Sequence, residues 1–136
     1  MIKEINTDDI SGCVEVIRES FGTVAKNFGF TEENAARFTA FVTTIESLNW
    51  QLNYEHRPMY AYFEGDAIIG YYSLALQDNK ECELNNLCVL PAYRHKKIGE
   101  LLLKDAMDKA KIMNCKKMNI GIVEENITLK KCYESY

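Results

Sequence analysis

Between Leu84 and Gly99 the sequence runs LNNLCVLPAYRHKKIG: a strand-like stretch stopped by Pro91, a short basic loop, and a helix start. The first N–H groups of a helix lack intrahelical acceptors and sit at the positive end of its dipole. A helix opening at Ile98 therefore offers an anion site, and Arg94, Lys96 and Lys97 add formal charge around it. Gly99 lets the helix backbone approach a pyrophosphate with no side chain between them. His95 lies within the same loop, although nothing requires it to touch a phosphate. A solvated basic turn before an ordinary helix also fits these residues.

A second pair stands near the C-terminal end. Asn126 and Tyr133 are seven positions apart, so two turns of helix put them on one face. Asn126 also reads as a helix cap and Tyr133 as a core aromatic. Cys88 has no histidine placed to activate it and reads as a packed strand cysteine. His56 and His95 read as surface residues. The five cysteines (13, 82, 88, 115 and 132) form no C-x-x-C pair, which points to free thiols and no metal site.

The elements that must position these residues follow from periodicity. Ile2 to Ile5 suits a short strand, and Thr7 or Asp8 can cap a helix with Ile10, Cys13, Val14, Ile17 and Phe21 on one face. Gly22 and the segment Phe28-Gly29-Phe30 mark a loop. Thr31 then opens a second helix, whose stripe runs Ala35, Phe38, Phe41, Val42, Ile45, Leu48. After Pro58 the period becomes two. Strands are predicted over 59–63 and 67–76 around a Gly65-Asp66 turn, then from about Glu81 to Leu90. Ile98 to Met113 is an amphipathic helix, Lys117 to Val123 a strand, and Asn126 opens a last helix reaching Tyr136. The strand–helix–strand unit from Glu81 to Val123 calls for a right-handed crossover and a parallel pair. On the strand, strict alternation puts Glu83, Asn85, Leu87 and Val89 on one face. Both faces then mix polar and apolar residues, which suits a bulge or splay.

The expected fold is thus α/β, a mixed and mostly antiparallel sheet with helices on both faces, in one domain over 1–136. A composition of 47% hydrophobic and 26% charged residues suits a soluble globular domain. The net charge of −4 disfavours a nucleic-acid binder. No stretch is long and apolar enough to span a membrane, and no signal peptide is visible, so a cytoplasmic protein is expected.

The ordered set resembles the GNAT (N-acetyltransferase) superfamily, whose cofactor motif is Arg/Gln-x-x-Gly-x-Gly/Ala after a strand ending in a V-x-P pattern. Arg94 and Gly99 match the first and last positions, and Lys97 stands where the first glycine is usual. The likeness extends over the two-helix excursion, the hairpins, the cofactor strand and helix, and the later asparagine helix.

The resemblance implies acetyl transfer from acetyl-CoA to an amine of a small molecule or peptide. The main chain of Leu87, Cys88 and Val89 would pair with the pantetheine arm. The loop Arg94, His95, Lys96, Lys97, Ile98, Gly99 and Glu100 would hold the pyrophosphate. Glu83 occupies the place where some members carry a catalytic glutamate, acting directly or through water, with Glu81 a weaker substitute on the same face. Taken alone, Glu83 also reads as a solvent-facing strand carboxylate. The N–H of Cys88 or Val89 would face the oxyanion. Asn126 to Glu134 looks like the family's Asn-x-x-Ala-x-x-x-Tyr helix, which gives Tyr133 the role of acid towards the CoA sulfur and Asn126 a cap-and-cofactor role. Phe21 to Phe30 with Trp50, Tyr54 and His56 would shape a partly apolar acceptor side. In the family, Gly-Phe and two further strands follow the tyrosine helix. A chain ending at Tyr136 is therefore expected to be shorter than the natural product, its missing edge supplied by another chain, as in a homodimer, or left open. A catalytically silent acyl-CoA sensor or interaction module is the alternative reading.

Overall fold

Period-two patterning after Pro58 produces a meander of three strands, β2 (Met59–Glu64), β3 (Ala67–Gln77) and β4 (Glu81–Val89). A short β1 (Ile2–Glu4) and β5 (Lys117–Ile120) complete a five-stranded sheet in the order β1-β2-β3-β4-β5. Every pairing is antiparallel except β4 with β5, which the crossover helix α4 (Ile98–Ile112) makes parallel. The structure, a computed structural model, describes residues 1–29, 31–35 and 39–121. Ile122, Val123, Asn126 and Tyr133 fall outside the described residues.

Both faces of the sheet are covered. On one, α4 buries Leu102, Leu103, Ala106 and Ala110 against Tyr72, Leu74, Leu84 and Val89. Gly70 permits this close approach, since a β-carbon there would lie 2.8 Å from Leu102 Cδ1. On the other face, α1 (Ile10–Phe28), α2 (Thr39–Val42) and α3 (Ile45–Asn53) close over Met59, Ala61, Tyr71 and Cys88.

Two helix boundaries differ from the sequence expectation. Gly22 lies inside α1, which runs on to Phe28 and ends at Gly29, in the left-handed conformation at φ 69°. The i, i+4 pair Phe21 and Ala25 is buried. That burial offsets the cost of about 1 kcal/mol for a mid-helix glycine. The single stripe read from Ala35 to Leu48 is broken at Thr43-Thr44. There the Thr44 side chain accepts from Ser47 N–H and Ser47 Oγ accepts from Thr44 N–H. That capping box starts a new helix although the apolar period continues across it.

The three buried cysteines 13, 82 and 88 are free thiols, and Cys115 is half-buried. Cys132 lies outside the described residues. His56 and His95 are exposed.

Candidate active site

β4 contains one extra residue. Tyr71 faces Cys88 and Ser73 faces Asn85, so Asn86 and Leu87 together stand opposite Tyr72. Asn86 takes the left-handed conformation at φ 56°, which asparagine tolerates better than most residues. The bulge resets the alternation of side chains. Cys82 and Leu84 before it, and Leu87 and Val89 after it, all pack towards α4. Cys88 falls on the opposite side, with α1. Strict alternation, which would set Leu87 and Val89 beside Glu83 and Asn85, therefore fails at Asn86.

The bulge leaves the strand's main chain with a defined direction. Leu90 N–H donates to Ile69 O at 2.8 Å, so Leu90 points its backbone towards β3. By alternation Cys88 does the same, while Val89 and Leu87 direct theirs to the β5 side. On that side the parallel ladder of the described residues pairs Glu81–Leu84 with Lys117–Ile120, and Gly121 N–H donates to Leu84 O at 2.9 Å.

From Val89 the chain passes through a 3-10 turn, Pro91–Tyr93, into the basic loop. His95 and Lys97 are both left-handed, at φ 66° and 64°. Lys97 is the N-cap of α4 and makes no side-chain capping bond. Leu101 N–H is the first to close on the helix, at 3.1 Å from Lys97 O. The N–H groups of Ile98, Gly99 and Glu100 thus open at the helix end, ringed by exposed His95, Lys96 and Lys97. Lys96 Nζ rests 5.4 Å over the Tyr93 ring. Arg94 reaches sideways: its Nη2 donates to Ser20 O and to Thr23 Oγ1, each at 3.0 Å, tying the loop to α1.

Glu83 and Asn85 share the face turned towards α1–α3. Glu83 is half-buried and has no ion pair or hydrogen bond among the described residues. Glu81, by contrast, accepts from Asn119 Nδ2 at 3.4 Å and pairs with Lys117 at 3.8 Å. Of the two carboxylates, Glu83 is therefore the one without a partner among the described residues. Between α2, α3 and the bulge lies a cavity of about 350 Å³, lined by Thr39, Thr43, Gln51, Arg57, Asn85 and Asn86 among others. Beside this face Tyr71 is wholly buried, and burial pushes its phenol up, so it stays protonated.

The bulged strand and the left-handed, basic helix start that follows it form one continuous unit, and a family model spans it. The model of the Acetyltransferase (GNAT) family matches residues 23–136. The chain belongs to the GNAT acetyltransferase family. Solved structures agree on the GNAT fold. The PaiA N-acetyltransferase of Thermoplasma acidophilum, in complex with coenzyme A, superposes with a TM-score of 0.79 at 23% identity, over 99% of this chain and 86% of that one. A predicted acetyltransferase with acetyl-CoA from Clostridium acetobutylicum gives 0.70 at 16% identity, over 100% and 87%. A GNAT-family acetyltransferase of Staphylococcus aureus gives 0.69 at 19%, over 99% and 81%. Among curated proteins no sequence matches.

Lys97 bears on the motif read from the sequence. The residue that the sequence reading set at the first glycine position, Lys97, is left-handed at φ 64°. Two aromatics expected on the acceptor side lie apart from this cavity. Trp50 and Tyr54 stack on each other at 4.8 Å on the exposed side of α3 and do not line the 350 Å³ cavity. His56 lines a separate hollow with Glu55, Arg57, Pro58 and β3 residues. The polar cavity residues were not singled out from sequence, where only Asn85-Asn86, two amides in a strand, gave a signal.

Proposed function

We propose that the protein is an N-acetyltransferase that moves the acetyl group of acetyl-CoA to a primary or secondary amine. The observation carrying this reading is the bulge at Asn86. It turns the main chain of Leu87 and Val89 to the β5 side, immediately before the open N–H groups of α4. The donor set fits a thioester substrate with a diphosphate: helix N–H groups and lysines for the anion, and strand amides for the pantetheine arm.

In this reading the amine nitrogen attacks the thioester carbon, the C–S bond breaks, and the amine's proton leaves to Glu83 through water. The N–H of Val89 donates to the oxygen as it gains charge. Tyr133, assigned from the sequence resemblance alone, gives its phenolic proton to the departing thiolate, and the same resemblance gives Asn126 a cofactor role. A phenol of pKa about 10 remains protonated at neutral pH and can serve.

The test is calorimetric titration with CoA and acetyl-CoA, followed by mass spectrometry of products from an amine panel. Glu83→Gln and Tyr133→Phe are expected to lower kcat by about a hundredfold or more with CoA affinity retained. Absence of CoA binding overturns the reading. Binding without turnover on any amine replaces it with the silent sensor.

A further inference from the structure

Resting on the acetyltransferase reading, we infer that the acceptor is an amine that also carries a carboxylate, which the guanidinium of Arg57 selects. The cavity between α2, α3 and the bulge supplies three independent observations. Among the described residues its wall holds no aspartate or glutamate, and Arg57 is the one cation that lines it. A second ammonium on the acceptor would meet no counter-charge there and would face a like charge, whereas a carboxylate would meet its partner. Arg57 is mostly buried and holds Glu55 through one nitrogen, Nη2, at 2.9 Å. The rest of its planar fork has no hydrogen-bond acceptor among the described residues.

The third observation concerns two side-chain amides. Asn86 is 8% exposed, and its Oδ1 has no hydrogen bond among the described residues. Gln51 Oε1 is likewise buried, with no hydrogen bond among the described residues. Both residues line the cavity. An unmet buried acceptor costs stability unless a ligand donor meets it. An acceptor molecule with N–H groups at one end and a carboxylate at the other satisfies Asn86, Gln51 and Arg57 at once. The volume of about 350 Å³ stands at the small end of ligand sites, about 300–1,000 Å³, which suits a single amino acid or a similar amino carboxylate.

Matched pairs test this directly: lysine against cadaverine, phenylalanine against phenethylamine, tyrosine against tyramine. Each is assayed for acetylation with the full chain and for thermal shift of the CoA-loaded protein. The carboxylate-bearing member of at least one pair is expected to win by about tenfold or more in kcat/KM, as for a site whose polar group is left unpaired by the wrong ligand. Arg57→Gln should erase that preference through KM, with kcat and CoA affinity nearly unchanged, and Arg57→Lys should restore part of it. Preference for the decarboxylated partners overturns the inference, as does a preference that survives Arg57→Gln. So does a CoA-loaded protein that neither binds nor acetylates any carboxylate ligand. Failure to bind CoA at all is a different result, and removes the acetyltransferase reading itself.

Discussion

Glu83 and Gly121 touch across the parallel strands: a β-carbon built on Gly121 would lie 2.8 Å from Glu83 Oε1. It would also collide with Asn85 Oδ1 and stand 2.8 Å from Leu84 O. The carboxylate proposed as the base thus lies beside a residue with no side chain. Gly121→Ala is expected to cost about 1–3 kcal/mol, the usual range for overpacking. It should also lower acetyl transfer by displacing Glu83, with CoA affinity within a few-fold of the parent. Urea unfolding and steady-state kinetics check both parts. Unchanged stability and rate together would mean that the strands separate freely there.

Lys97 occupies a left-handed position that glycine holds without steric cost. Lys97→Gly should therefore raise stability by up to about 1 kcal/mol, read as a higher Tm. Lys97→Val, β-branched at positive φ, should lower it. The charge has a separate readout: in Lys97→Gly, CoA affinity should depend less steeply on salt than in the parent. A lower Tm for Lys97→Gly would show that the lysine side chain stabilises the loop beyond its backbone strain.

What the sequence made legible, and what it did not, divides by the range of the interactions involved. The sheet, the α4 crossover and the basic loop before it rest on local signals, namely period, Pro91, and a cluster of cations before Ile98. Those signals coincide with the observed elements within a residue or two. The bulge was expected from the mixed faces of β4, but its position was not. Whether Asn85, Asn86 or Leu87 is the extra residue depends on which side chains α1 and α4 can bury. The cavity was less legible still. Thr39, Gln51 and Arg57 come from three separate segments and meet the bulge only after Thr44 has started a new helix. Exposed Trp50 and Tyr54 carry no mark in the sequence that separates them from pocket aromatics.

Arg94 offers a test of how the loop is held. Two hydrogen bonds at 3.0 Å to Ser20 O and Thr23 Oγ1 anchor it on α1, more than seventy residues away in sequence. Charge-assisted bonds of this kind contribute about 1.5–3 kcal/mol. Arg94→Ala is expected to destabilise the fold by that order in urea unfolding. Thr23→Val removes one acceptor and should cost less, about 1 kcal/mol. If Arg94 also contacts the diphosphate, Arg94→Ala will weaken CoA far more than Thr23→Val does. Equal effects on CoA would assign Arg94 to anchoring alone.

Cys13 makes the stability of the α1 side depend on alkaline pH. Burial, with a smaller contribution from Asp9, pushes its thiol from 9.0 up to about 12. Below pH 9 the thiol is protonated whether the chain is folded or unfolded, so stability is fully retained. Between pH 9 and about 12 the unfolded thiol ionises while the folded one does not, and the unfolded state gains. This one group should therefore remove up to about 1.4 kcal/mol per pH unit in that window. Urea unfolding at intervals from pH 8 to 10.5 should show the decline. Cys13→Ala, though less stable at pH 8 because it leaves a cavity, should show a shallower slope, since the remaining slope belongs to other groups. Parallel curves for the two proteins would mean that the thiol ionises in place, through water reaching the core between α1 and β3.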